Sequence, residues 1–220
     1  MTTANFVKLS GISFAYSSES ETISQFDLTL RKGETVGLVG PSGCGKSTLL
    51  RLIAGLAAPA AGSIEINGKK MVDEKRFVQP EKRGIGMVFQ DYALFPHMTV
   101  EQNVLFGLHR LSGRLRTQRL EEMMELVQLE AYRKRYPHEL SGGQQQRAAF
   151  ARSLAPKPDL LLMDEPFSSL DADLRGEIRL QLKEILRKAQ MTSILVTHDS
   201  EDAQIMCDRV VRMAPHVSFS

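Results

Sequence analysis

Gly40-Pro41-Ser42-Gly43-Cys44-Gly45-Lys46-Ser47-Thr48 is the stretch that decides the fold. It fits G-x-x-x-x-G-K-[ST], the phosphate-binding loop. The apolar run Val36-Gly37-Leu38-Val39 before it reads as a buried strand, and Thr48-Leu49-Leu50-Arg51-Leu52-Ile53-Ala54 after it reads as a helix. The motif requires that strand–loop–helix context. Its glycines let backbone N–H groups turn inward on an anion, and the helix N-terminus adds partial positive charge. In such a loop Lys46 reaches the β- and γ-phosphates of a nucleotide and Ser47 ligates Mg2+.

Outward from the loop, the chain alternates between strand and helix signals. Phe6, Leu9, Ile12, Phe14 and Tyr16 sit among polar residues, as in an antiparallel strand, with Gly11 marking a bulge or break. Ser17-Ser18-Glu19-Ser20 reads as a turn, Phe26–Leu30 as a second alternating strand, and Lys32-Gly33-Glu34 as a hairpin-like turn into the phosphate loop's strand. Tyr16 is open to two readings from spacing alone, a base-stacking ring or an exposed strand aromatic. Gly62–Gly68 reads as a strand ending in an Asn-Gly turn, and Gly84–Phe89 as a buried strand ending at Gln90.

From Asp91 the character changes. Thr99 and Gln102 form a capping pattern, and Leu120, Met123, Met124 and Val127 mark one face of an amphipathic helix. Arg110, Arg114, Arg116 and Arg119 read as a solvated basic face. Residues 91–155 therefore look like a helical insert in an α/β core. Within it, Leu140-Ser141-Gly142-Gly143-Gln144 opens a helix with a Ser cap and two glycines, a second anion site. One nucleotide hardly needs two such loops from one chain, which points to a nucleotide shared between two copies.

After Pro156, Leu160–Met163 is an apolar strand ending in Asp164-Glu165, and Thr192–Thr197 is another, ending in His198-Asp199. Ligands of open α/β sheets bind at the carboxyl edge of the strands. There Asp164 suits Mg2+, Glu165 suits orienting or deprotonating an attacking water, and His198 suits a γ-phosphate. Leu174, Ile178, Leu182 and Ile185 give the intervening helix an apolar stripe.

Composition bounds the rest. The 220 residues suffice for one substantial α/β domain, and 28 Lys and Arg against 26 Asp and Glu give no reason to expect a nucleic-acid partner. Cys44 and Cys207 make no disulfide framework, and no apolar run approaches the roughly 20 residues of a membrane-spanning helix. The expectation is a chain in the cytoplasm whose membrane role comes through a partner.

The chain resembles an ATP-binding cassette ATPase from about Phe6 to Val211, most diagnostically in the pairing of Gly40–Thr48 with Leu140–Gln144. The resemblance implies an α/β fold, a P-loop NTPase (RecA-like) core with an antiparallel β subdomain and a helical subdomain insert. It implies one cassette over 1–220, with the core at 1–90 and 156–220 and the insert at about 91–155. It implies ATP and Mg2+, and a head-to-tail homodimer sandwiching two nucleotides. By resemblance Tyr16 stacks on adenine, and Gly40, Pro41, Ser42, Gly43, Cys44, Gly45, Lys46, Ser47 and Thr48 cradle the phosphates. Gln90 contacts Mg2+ and the attacking water, beside Ser47 and Asp164. Ser141, Gly142, Gly143 and Gln144 face the nucleotide held by the opposite chain, Ser169-Leu170-Asp171 crosses the interface, and His198 and Glu165 serve catalysis.

Phe89–Val104, with Pro80–Gly86, resembles ATPases of bacterial importers for ferric iron, polyamines, sulfate, sugars or thiamine. That implies transmembrane permease subunits as partners, a substrate-binding protein indirectly, and a peripheral place on the cytoplasmic side of the inner membrane. Tyr92, Leu94 and Phe95 are expected to line a socket for an apolar helix tip of the permease. The chain departs from such relatives after Val211: no C-terminal accessory domain is expected, and the last hairpin looks curtailed. The rival reading is a soluble cassette ATPase without transport, against which stand a single cassette and no heptad run.

Overall fold

The computed structural model describes residues 5–17, 20–109, 111–170 and 172–214, without the side chains of 17, 20, 21 and 172–174. Ser18 and Glu19 of the expected turn, Arg110, Asp171 and the side chain of Leu174 lie outside that description. Strands β1 (Val7–Ser17) and β2 (Ser20–Leu30) pair antiparallel, and β4 (Ala61–Ile66), β5 (Lys69–Asp73) and β6 (Arg76–Phe77) complete a sheet of order β2-β1-β4-β5-β6. Gly11, at φ +58°, breaks the register between Leu9 and Ile12, as the sequence suggests. Asn67 and Gly68 both have positive φ, the two-residue turn that matches strand twist.

A second sheet is wholly parallel, in the order β10-β3-β9-β8-β7, from β3 (Thr35–Val39), β7 (Ile85–Val88), β8 (Leu160–Asp164), β9 (Ser193–Val196) and β10 (Arg209–Arg212). Residues 31–34 are thus no hairpin: β2 and β3 belong to different sheets, and the turn passes the chain from one layer to the other. Arg209–Arg212 forms the parallel edge strand β10, with Val210 opposite Gly37, and the segment expected as a curtailed hairpin follows it, mostly outside the described residues.

The continuous apolar runs follow from burial on both faces. Leu160 and Leu162 of β8 join a core with α1 (Lys46–Ala54) and the antiparallel sheet. The alternate residues Leu161 and Met163 join a second core with the helices. Those helices are α2 (Val100–Phe106), α3 (Gly113–Val127), α4 (Gly142–Leu154) and α5 (Ala172–Lys188); α6 (Ser200–Met206) follows β9. Leu120, Met123, Met124 and Val127 are buried as their spacing requires, and Thr99 with Gln102 forms the expected capping box on α2. Arg119 does not lie on a solvated face: its guanidinium donates to the carbonyls of Leu154 and Ala155 at the end of α4. Its methylenes and charge thereby staple α3 to α4.

Candidate nucleotide site

Parallel pairing brings every strand's carboxyl end to one edge. In register, Leu38 of β3 and Asp164 of β8 both face Val196 of β9, and Val88 of β7 faces Met163. The residues just beyond these ends are Gly40, Gln90, Glu165 and His198. Four separate stretches of sequence thus converge on a single sheet edge.

The phosphate loop is shaped as an anion cradle. Gly43 has φ +81° and Gly45 φ +95°, conformations that cost an L-residue strain. A Cβ on Gly40 would lie 2.4 Å from the Met213 carbonyl oxygen. Helix α1 starts at Gly45 with no side-chain cap and no acidic residue in its first turn, unlike α2 and α4, which carry capping boxes. Its uncapped amides suit an anion. Lys46 Nζ donates to the carbonyls of Gly40 and Pro41, each at 2.8 Å, so the loop's own oxygens hold the ammonium over the cradle. Cys44 is buried, with Sγ 3.8 Å from that ammonium, a filler of the loop's underside.

Ser47 Oγ donates to Asp164 Oδ1 at 2.8 Å. Burial pushes the Asp164 carboxyl up from its ordinary range and neighbouring Glu165 adds to this, while the Ser47 bond works the other way. A hydroxyl and a desolvated carboxylate, side by side under an anion cradle, fit a hard divalent cation. Beside them, Glu165 has φ +45°, pinned by its N–H bond to the Val196 carbonyl at 2.9 Å. His198 Nδ1 lies 3.1 Å from Glu165 Oε2. Tyr16 is 64 % exposed, and its hydroxyl is 3.0 Å from Thr48 Oγ1, which places an open ring face next to the start of α1. Gln90 has an exposed side chain, and its carbonyl accepts from Ser169 Oγ at 3.2 Å.

Ser141 caps α4: its hydroxyl accepts the Gln144 N–H at 3.3 Å, and the Gln144 side chain accepts the Ser141 N–H at 3.0 Å. Gln144 therefore spends its side-chain oxygen on the cap. The expected socket is corrected at Tyr92, which is only 5 % exposed and part of the helical core. An open groove lies nearby instead, lined by His97, Met98, Gln102, Leu105 and Phe106.

Sequence reasoning missed what stands behind His198. Arg179, 2 % exposed, donates through Nε to Asp202 at 2.6 Å and through Nη2 to Asp199 at 2.8 Å. Asp202 also accepts the Thr197 hydroxyl at 2.7 Å. The signal was present in part: Arg175 and Arg179 share a helix face at i and i+4. Their carboxylate partners lie across the fold and leave no mark in local spacing.

A phosphate cradle, a hydroxyl–carboxylate pair and a glutamate–histidine pair on one parallel sheet edge, beside an antiparallel layer and a helical insert, define a phosphate-loop cassette protein. The chain belongs to the ABC transporter family, whose profile, described as ABC transporter, matches residues 23–168. Over 193 residues it is 49% identical to the Fe(3+) ions import ATP-binding protein FbpC of Fusobacterium nucleatum, covering 87% of this chain and 51% of that protein. It is likewise 49% identical over 193 residues to the putrescine transport ATP-binding protein PotG of Escherichia coli, covering 87% and 50%. The chain spans about half the length of the curated relatives it matches. Among solved structures it is similar to cbiO1 of Clostridium perfringens, described as part of the ABC transporter complex cbiONQ, with TM-score 0.86, 29% identity, and coverage of 95% and 84%. It is also similar to the dimeric ABC transporter cassette MJ0796, with TM-score 0.78, 32% identity and 94% coverage of each chain.

Proposed function

We propose that this chain is the ATP-hydrolysing subunit of a bacterial ABC importer, working as a head-to-tail homodimer docked on a membrane permease at the cytoplasmic face. The observation that carries this is the convergence of Lys46, the Ser47–Asp164 pair and the Glu165–His198 pair on one sheet edge. The import and transport named for FbpC and PotG support the importer assignment. Among the described residues no helix is long and apolar enough to cross a membrane, so the route for cargo falls to permease subunits.

In this reading Tyr16 stacks on adenine, and the amides of Gly43 to Thr48 with Lys46 bind the phosphates. Ser47, Asp164 and Gln90 would hold Mg2+, which would supply charge neutralisation at the phosphates. Glu165 orients the attacking water and accepts its proton, while His198, whose Nδ1 lies 3.1 Å from Glu165 Oε2, contacts the γ-phosphate. Positioning and charge stabilisation account for most of the rate. Ser141, Gly142 and Gly143 of a second copy close the site, and the stretch Ser169–Asp171 crosses the interface. The helical segment, about residues 91–155, carries closure to the permease, whose apolar helix tip enters the groove at Met98, Leu105 and Phe106. Cargo is chosen by the permease and a substrate-binding protein on other chains.

Glu165→Gln tests the assignment. It should keep ATP binding, lower turnover by about 100-fold or more, and accumulate dimers in ATP by light scattering. Wild-type turnover in that variant would remove Glu165 from its role. Co-purification with a permease separates an importer from a soluble, non-transport cassette ATPase.

A further inference from the structure

Helix α4 does more than present Ser141 and its glycines. Gln146, one turn into it, is wholly buried and donates from Nε2 to the Pro166 carbonyl at 2.9 Å. That carbonyl belongs to the residue directly after Glu165. The opposite amide orientation would set two acceptors against each other, so the donor must face Pro166. The same segment touches α4 a second time: a Cβ on Gly142 would lie 3.3 Å from Leu170 Cδ2. Inside the segment, Ser168 Oγ donates to the Glu165 carbonyl at 2.9 Å.

Glu165 needs such support. Its φ of +45° lies in the left-handed region, which a non-glycine residue keeps only when its surroundings hold it there. The Val196 bond holds the N–H side of Glu165, Ser168 holds its carbonyl, and Gln146 holds the next carbonyl along, that of Pro166.

The geometry points to Gln146 as a positioning residue that ties the helix bearing Ser141–Gly143 to the glutamate of the same chain. This rests on the proposed composite site. If Ser141–Gly143 meet the nucleotide held by the partner copy, the pull on α4 is passed through Gln146 to Glu165, which acts on this chain's own nucleotide. Each site then senses the filling of the other through one side chain.

A mixed dimer with a single intact glutamate tests this. One copy carries Glu165→Gln, and Gln146→Leu is placed either in the copy with the intact Glu165 or in the copy without it. Turnover should be about tenfold lower in the first arrangement than in the second, the scale of a displaced catalytic group. A general weakening of the fold would lower both alike, and equal rates would overturn the proposal. Gln146→Met repeats the comparison with a flexible side chain of similar length, and melting temperatures exclude loss of folding as the cause. In homodimers of Gln146→Leu, the Hill coefficient for ATP should fall towards one; an unchanged coefficient would overturn the coupling. A wild-type homodimer with no turnover would instead overturn the ATPase reading on which the proposal stands.

Discussion

In the proposed site, Asp164 shows most directly how one residue would serve binding at the expense of the empty fold. Burial holds its carboxyl above the usual range. Its folded value exceeds its unfolded value, so the folded chain keeps the proton longer as pH rises. The ionised form costs stability in full above that folded value, and the cost is relieved as pH falls from it towards the lower unfolded value. Binding a divalent cation needs the ionised form, so affinity for Mg2+, followed by calorimetry across a pH series, should begin to fall at a higher pH than for an exposed aspartate. Asp164→Asn should raise the melting temperature of the ligand-free protein, because it removes a carboxylate that burial disfavours, and abolish metal-dependent turnover. An unchanged or lower melting temperature would show that the carboxylate is not a strained group. Cys207 is the inert counterpart: burial, with help from Asp208 and Asp202, pushes its thiol up to about 12, and it packs where a Cβ on Gly37 would lie 2.9 Å from its sulfur. At this scale Ser47, Asp164 and His198 were legible, because a motif or a strand end marks them. Gln146 was not, because nothing in Gln144-Gln145-Gln146 tells which amide turns inward.

Among the elements, the helix starts divide by task. Helices α2 and α4 spend a Thr or Ser and a Gln on closing their own amides, whereas α1 leaves its amides without a side-chain cap. The other end of α1 is finished by the fold. Gly55 takes φ +85°, and Arg83, from the turn after β6, donates through Nη1 to the carbonyls of Leu52 and Ile53 and through Nε to Val78. Burial lowers the Arg83 guanidinium to about 10, still charged at neutral pH. The cation answers the negative end of the helix that bears the phosphate loop. Arg83→Met should cost about 2 kcal/mol, from three lost bonds partly offset by relief of a buried charge. Urea melts would measure it, and a loss below the error of the fit would deny Arg83 its capping role. Capping boxes and amphipathic faces were readable, since they depend on residues three or four apart. The Arg83 cap and the Arg119 staple were not, because their acceptors lie in distant segments.

For the whole molecule, the parallel sheet gathers the site and the Arg179 cluster locks α5 to α6 behind it. Burial alone would raise the Asp199 carboxyl, but the Glu201 amide and the Arg179 charge reverse that and hold it below its usual range. Its contribution to stability is therefore present above the unfolded value of roughly 3.9 and is lost as pH falls through the lower folded value. Acid unfolding should begin in that window, and Asp199→Asn should flatten the curve there; identical acid curves would exclude the cluster as its origin. Arg179→Met should cost about 3–5 kcal/mol, because it leaves Asp202 buried without its partner. By itself the sequence determined the phosphate loop, the buried strands with acids at their ends, the capped second glycine loop and hence the cassette family, since all of these are written in contiguous residues at fixed spacing. Only the tertiary structure decided that the turn at 31–34 joins two sheets, that Val210 lies in a parallel edge strand, that Tyr92 is core, and that Gln146 holds the Pro166 carbonyl. Those outcomes depend on which distant segments meet, and that is set by the burial of both faces of the parallel sheet and not by local pattern.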